Sequence, residues 1–320
     1  MAQTGPTFGS FVIPESDFWA IPELAREAEE LGYARIGTGE RVMAGNPPRP
    51  TVLNIPAMAA AAGATRHIRL LTGIVLIPFY HPVLLAKLVA SLDHVSGGRL
   101  DFGVGVGGPR EATRMEYDVL GVPFEERGRL GNEILRLLKR LWTEENVTFE
   151  GRYYQCRDVT LLPFPIQKPH PPIWVAGREE PSIRRAARHG DGWYPYLYTT
   201  QRLRESVERI RDVAAEGGRD LSGFHWGLLQ PICVADTREE ALRTATAIVG
   251  ERYATPQRSA EDIAQALCIT GTAEECIKEV EAKVEAGARD IDFEWIAPDV
   301  NGVREQMRVA ARGILPYFGR

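Results

Sequence analysis

The chain has 320 residues, 38 Lys and Arg against 43 Asp and Glu, and a formal net charge of −5. It is 44 % apolar and 25 % charged, with 31 Gly, 22 Pro and 4 Cys, which excludes a disulfide miniprotein, a collagen-like repeat and a wholly disordered chain. The mild acidity argues against a general nucleic-acid binder, which needs a basic face.

Met1–Ser10 carries no basic segment followed by a long apolar one, and no run of about 18 uncharged apolar residues occurs. A soluble, cytoplasmic protein with no membrane partner is expected. Thr7–Ile13 reads as a strand. Ser16 or Asp17 can cap a helix whose apolar positions are Ile21, Leu24, Ala25, Ala28 and Leu31, with Gly32 as its stop. Tyr33–Thr38 is a second strand and Asn54–Ala64 an Ala-rich helix. Ile68–Ile77 is a third strand, in which Gly73 marks a bulge or a close backbone approach. Pro82 opens a helix that ends at Gly97–Gly98, and Arg99–Val106 is a fourth strand. A helix carrying Leu130, Ile134, Leu137, Leu138 and Leu141 follows.

An excursion at Glu144–Pro171 then breaks the rhythm, with a hairpin of Val147–Phe149 and Tyr153–Gln155. Beyond it come strands at Pro172–Ala176, Gly192–Pro195, Trp226–Val234 and Asp290–Ile296. Helices are expected at Pro181–Arg188, Thr199–Glu216, Thr237–Tyr253, Pro256–Leu267, Ala273–Ala286 and from Val303. Eight strands alternating with helices favour a closed (β/α)₈ TIM barrel, α/β in class, as one domain over residues 1–320.

The motifs carry more than one reading. Gly103, Gly105 and Gly108 spell G-x-G-x-x-G, but more than a hundred residues in and behind three β-α units. That context favours a barrel strand with a Gly-rich C-terminal end over a Rossmann turn. Gly177 and Arg178, before a helix at Pro181, form either a phosphate cradle or a plain turn. His81 precedes a helix N-terminus and is either a cap or a catalyst. Glu40–Arg41 is either a surface ion pair or part of an active site. Trp193 either stacks on a ligand ring or fills the barrel. The six histidines show no H-E-x-x-H spacing and the cysteines no C-x-x-C pair, so no metal is expected.

Taken together, the segments Ala86–Asp93, Ser96–Arg99, Gly103–Gly107, Leu120–Gly128, Leu141–Trp142, Gly151–Tyr153, Pro172–Gly177 and Gly190–Trp193 resemble the bacterial luciferase-like monooxygenase superfamily, in particular its coenzyme F420-dependent branch. The resemblance implies a luciferase-like barrel with an insertion before the fifth strand. It implies that a deazaflavin ring packs on a bulge at Gly73, Ile74 and Val75, often with a non-proline cis peptide. It places the cofactor phosphate at Gly107, Gly108, Ala176, Gly177 and Arg178. Many members of that branch carry Asp-His where this chain has Glu40-Arg41, and Arg where it has Tyr80. An imidazole exchanges protons near neutral pH and a guanidinium does not. Proton transfer then falls to Glu40, Tyr80, His81, Glu111 or Glu116, with Arg41 available to bind an anion.

The expected function is hydride transfer between coenzyme F420 and a small organic substrate. The alternatives are an FMNH₂-dependent monooxygenase on the same barrel and a non-catalytic flavin-binding barrel. The resemblance also implies a homodimer or higher homo-oligomer.

Overall fold

A computed structural model of the chain describes residues 5–13, 17–43, 50–254 and 258–319. Eight parallel strands form the barrel: β1 (Thr7–Val12), β2 (Arg35–Thr38), β3 (Arg69–Thr72), β4 (Leu100–Gly105), β5 (Ile173–Ala176), β6 (Gly192–Tyr194), β7 (His225–Val234) and β8 (Asp290–Trp295). β8 returns to β1 with Asp290 opposite Thr7, and β7 pairs with both β6 and β8, which closes the ring. Val75–Leu76 continues β3 beyond the Gly73 bulge and pairs with β4, Val75 opposite Val104. Ile269–Gly271, not expected from the sequence, adds a short parallel strand beside β7.

The helices are α1 (Ile21–Glu30), α2 (Asn54–Ala64), α3 (Pro82–Ser96), α4 (Glu111–Val119), α5 (Arg127–Thr143), α6 (Glu180–His189), α7 (Thr200–Glu216), α8 (Arg238–Tyr253), α9 (Ala260–Leu267), α10 (Ala273–Glu285), α11 (Val300–Gly313) and α12 (Leu315–Phe318). Gly97, in the left-handed region at φ 69°, closes α3. Four expectations change. Asp17 does not cap α1: it precedes a 3₁₀ turn at Phe18–Ala20 and its side chain makes no capping bond; Ser16 lies outside the described residues. Pro256 also lies outside them, and α9 starts after Ser259 in a capping box with Asp262. The hairpin strands are Val147–Glu150 and Gln155–Val159. α4 was not anticipated, because only Thr113, Glu116 and Tyr117 of its nine residues are buried, too narrow a stripe to give a helical period.

The strands alternate between two cores. One set of side chains, including Ile36, Leu70, Phe102 and Val104, packs outward against the helices. The other fills the lumen with Phe11, Leu71, Trp174, Tyr194 and Leu229, topped by Ile13, Ile74 and Tyr196. Beneath them lies a charged layer. Arg35 is 3.0 Å from Asp290 and 3.1 Å from Asp292, and its guanidinium lies 5.2 Å from the Trp174 ring centre. Thr7 Oγ1 donates to Asp290, His225 Nδ1 lies 3.3 Å from it, and Arg69 Nε donates to Asp101. Burial pushes the Asp292 carboxyl up to about 6 even with Arg35 beside it. Arg35, Thr7 and His225 together outweigh burial at Asp290 and hold it well below the usual range. A Cβ on Gly9 would lie 1.9 Å from Asp292 Oδ1, so only glycine at that position lets the acid sit under the plug.

The insertion is fixed to α5 by one carboxylate. Glu133, buried, accepts the backbone N–H groups of Arg152, Tyr153 and Tyr154 at 2.8–2.9 Å. The barrel's C-terminal mouth is left to the turns after each strand, where (β/α)₈ barrels place their sites.

Candidate active site

The step at the end of β3 organises the mouth. The Gly73–Ile74 peptide is cis. A Cβ on Gly73 would meet the Phe11 ring at 2.4 Å, and one on Gly105 would meet Ile74 Cδ1 at 2.0 Å. Gly103 faces the Thr72 carbonyl, 1.9 Å from where its Cβ would be. Thus Gly103 and Gly105 of β4 make room for the chain's own bulge. Ile74 is left half-buried at the mouth, above the lumen plug.

Behind this step sits a knot of carboxylates. Glu40 follows β2 and is buried. Its Oε2 accepts the N–H of Asn54, the first residue of α2, at 2.9 Å and the Tyr80 hydroxyl at 3.2 Å; its Oε1 accepts the N–H of Leu76 at 3.2 Å. One side chain therefore ties β2, α2 and the segment after the bulge. Burial raises its carboxyl above the ordinary value, against the pull of those three donors. Glu116 of α4 is fully buried. Its Oε1 accepts the N–H groups of Val42 and Met43 at 2.8 and 3.0 Å, and its Oε2 lies 2.9 Å from Arg41 Nη2. Arg41 Nη1 also donates to Thr113 Oγ1 at 3.3 Å, and 30 % of the Arg41 side chain stays exposed.

The structure thus brings Glu40, Arg41 and Glu116 together at one side of the mouth. The two carboxylates are committed to backbone donors, which makes them positioning groups; Arg41 is the charge they present. His81 is not part of this knot. It is exposed, caps α3 by accepting the Val83 N–H at Nδ1, and meets Tyr154 edge-on. Glu111, at the start of α4, is exposed.

The two turns expected to take a phosphate follow β4 and β5, and the first of them adjoins the knot through Thr113 and Leu76. Gly107, at φ 72°, lies against Thr113, and among the described residues nothing lies within 4 Å of where a Cβ on Gly108 would be. The turn leads into the N-terminus of α4, where backbone N–H groups favour an anion. Gly177, at φ 132°, would press a Cβ to 2.4 Å from Ser182 Cβ. Its carbonyl accepts the Trp193 indole N–H at 3.0 Å. Trp193 is 0 % exposed, so it holds this turn and offers no face to a ligand; the stacking role expected for it is corrected. Ala176 and Arg178 are half-buried, and the Arg178 guanidinium lies 5.1 Å from the Tyr196 ring centre.

Sequence reasoning missed Arg110, Tyr253 and Glu294 at this rim. Arg110 Nη2 donates to the Tyr196 hydroxyl at 3.3 Å and lies over Tyr253. Glu294, buried at the end of β8, accepts the Tyr253 hydroxyl at 3.0 Å and pairs with Arg252 at 3.3 Å. The available signal for Glu294 was the run Asp290-Ile-Asp-Phe-Glu-Trp295, whose acids recur every second residue and so share the lumen face. The residues fit a flat, phosphate-bearing ligand: an apolar step at Ile74, open backbone at Gly108, and the cations Arg41, Arg110 and Arg178 around it. Among the described residues, no group of three His, Cys, Asp or Glu side chains is placed to hold a metal ion, and no helix is long and apolar enough to cross a membrane.

The family model of the luciferase-like monooxygenases matches residues 5–290. The chain belongs to this family. Among its luciferase-like relatives, the oxygenase component of a flavin-dependent trigonelline monooxygenase from Acinetobacter baylyi is 35 % identical over 230 residues, 68 % of this chain and 60 % of that protein. An FMNH₂-dependent dimethylsulfone monooxygenase from Pseudomonas putida is 29 % identical over 232 residues, 72 % of this chain and 62 % of that one. The match thus spans less than two thirds of the length of either relative. The coenzyme F420-dependent tetrahydromethanopterin reductase of Methanopyrus kandleri superposes with a TM-score of 0.83 over 98 % of this chain and 100 % of that one, at 18 % identity. That likeness carries the luciferase-like fold alone.

Proposed function

We propose that the chain is an oxidoreductase of the reduced-flavin kind, which takes FMNH₂ at the barrel mouth and oxygenates a small organic substrate. The observation that carries this is where the sequence likeness lies. The two relatives above are named as monooxygenases, one of them FMNH₂-dependent, and they match at 35 % and 29 % identity. A reduced flavin, when bound, supplies the two electrons with which one oxygen atom of O₂ enters the substrate and the other leaves as water.

The chain's own residues bind and orient it. Ile74 offers the apolar face, while Gly107, Gly108, Gly177 and Arg178 receive the phosphate. Arg41, fixed by Glu116 and Thr113, places a permanent positive charge at the mouth, where negative charge on the reduced cofactor is stabilised. Glu40 keeps the bulge in register through Leu76 and Asn54. A second reading, hydride transfer with F420, is favoured by one feature. The Glu40 carboxyl, raised by burial and bonded to Tyr80, is a protonatable group close behind the bulge.

Anaerobic titration with FMNH₂ and, separately, F420H₂ separates the two. Trp174 and Trp193 lie in the lumen and under the Gly177 turn, so tryptophan fluorescence reports on the mouth. FMNH₂ is expected to bind at least ~10-fold more tightly, a difference of about 1.4 kcal/mol. A tenfold preference for F420H₂ would replace the monooxygenase reading with hydride transfer.

A further inference from the structure

Outside the barrel, α5 and the hairpin enclose a groove of about 600 Å³ lined by Glu133, Arg136, Lys139, Arg140, Phe149 and Arg152, together with Glu150 and Gly151. Among the described residues, none of the mouth borders it. We infer that this groove is a second ligand site, which takes a small multivalent anion of the diphosphate class.

Four cations line it in a chain whose net charge is −5, and the carboxylates nearby do not balance them. Glu133 is committed to three backbone N–H groups of the hairpin tip. Arg136 is exposed and makes no ion pair among the described residues. Lys139 shares Asp191 with Arg219, at 3.7 and 3.6 Å, and Asp191 also accepts the Ile173 N–H. Arg152 has Glu126 at 4.0 Å, but Glu126 is already held at 3.0 Å by Arg129 and by the Tyr153 hydroxyl. Only Arg140 is answered in full, by Glu144 at 2.8 Å and the Thr148 carbonyl. Glu133 and Glu150 are the two lining carboxylates against the four lining cations, and Glu150 is exposed.

The wall is built to shape. A Cβ on Gly151 would lie 2.2 Å from Glu133 Oε1 and 2.6 Å from Phe149 Cε1, so only glycine lets the hairpin tip lie flat on α5. His189, at the end of α6, reports the local field. Burial first, then the charges of Lys139, Arg136, Arg185 and Arg219, push its imidazole down to about 4. Among the described residues Arg185 bonds only Asn132 and the Gly128 carbonyl and has no carboxylate partner, so it adds another cation to the local field. Guanidinium forks match phosphate oxygens two at a time and an ammonium adds a point charge. The volume lies in the range of small-molecule sites.

The test is calorimetric titration with pyrophosphate at low ionic strength, where surface charge is least screened. The wild type, Arg136→Gln, Arg136→Gln with Lys139→Gln, and Arg178→Gln would be compared, each checked for an unchanged thermal midpoint. Arg136 is exposed, so its single substitution keeps the comparison open should the double variant misfold. Binding is expected to weaken ~3-fold in the single variant and at least ~10-fold in the double one, and to persist in Arg178→Gln, which alters only the mouth. In the wild type, saturating pyrophosphate should raise the pH at which His189 titrates, followed by its imidazole resonances. No binding at millimolar pyrophosphate would overturn the assignment. So would loss of binding in Arg178→Gln alone, or citrate binding as tightly as pyrophosphate.

Discussion

Glu116→Ala is expected to lower stability by about 3 kcal/mol, at the lower end of the cost of stripping one partner from a buried ion pair, because Arg41 is partly exposed. The Glu116 carboxylate is fully buried, accepts the N–H groups of Val42 and Met43, and lies 2.9 Å from Arg41. Removing it frees both the turn after β2 and the guanidinium. Oxidation of bound FMNH₂ by oxygen, followed in a stopped-flow spectrometer, should slow by on the order of 10²-fold, the usual loss for one preorganised charge. Arg41→Ala tests the guanidinium with the carboxylate still in place. It leaves Glu116 on its backbone donors but strips this buried carboxylate of its counter-ion, so the stability loss stays at about 3 kcal/mol and the rate loss is of the same order as in Glu116→Ala. Arg41→Lys should recover part of the rate, since it keeps the charge but not the fork that reaches Thr113 and Glu116 together. An Arg41→Ala protein with undiminished rate would remove Arg41 from the chemistry.

Arg35→Ala is expected to cost about 3–5 kcal/mol and to make stability fall as the pH rises. Arg35 lies 3.0 Å from Asp290 and 3.1 Å from Asp292. Asp292 titrates at about 6 in the native barrel, above the ordinary value of 3.8 for an aspartate. The folded state therefore binds this proton more tightly than the unfolded chain. Its contribution is fully present below pH 3.8 and is lost as the pH rises through about 6. Without Arg35 the carboxyl rises further and that window extends to higher pH. Urea unfolding of Arg35→Ala at pH 5 and pH 8 should show the lower stability at pH 8, by more than any such difference in the wild type. Adding Asp292→Asn should remove most of the extra pH dependence. An Arg35→Ala protein as stable as wild type at both pH values would mean that the charged layer does not support the barrel.

The barrel was legible because its strands carry two signals at once: apolar content, and punctuation by Gly and Pro. β4 was placed to within a residue, and Gly73 marked the bulge at the site. What escaped had weak or competing signals. α4 buries only Thr113, Glu116 and Tyr117, so Glu116 was read as an acid near the mouth without the helix that carries it. His81 offered two roles, and the local one, accepting the Val83 N–H, is what its backbone position provides. Trp193 was undecided between ligand and core because an indole suits both; the Gly177 carbonyl sixteen residues away decides it. Glu294 and Tyr253 come together because β8 lies beside β7, the strand that α8 follows, a contact that no local pattern encodes. The charge arithmetic of the α5 groove likewise depends on Glu133 being committed to the hairpin, which the linear sequence does not display.

We place a reduced flavin on the Gly73–Ile74 step, with its phosphate at the Gly107–Gly108 and Gly177–Arg178 turns. Anaerobic hydrogen–deuterium exchange with and without FMNH₂ measures this most directly. Protection is expected in the peptides covering Gly73–Leu76, Gly107–Arg110 and Gly177–Glu179, with the α5 groove peptides unchanged. Protection at the α5 groove without change at those three turns would contradict the placement.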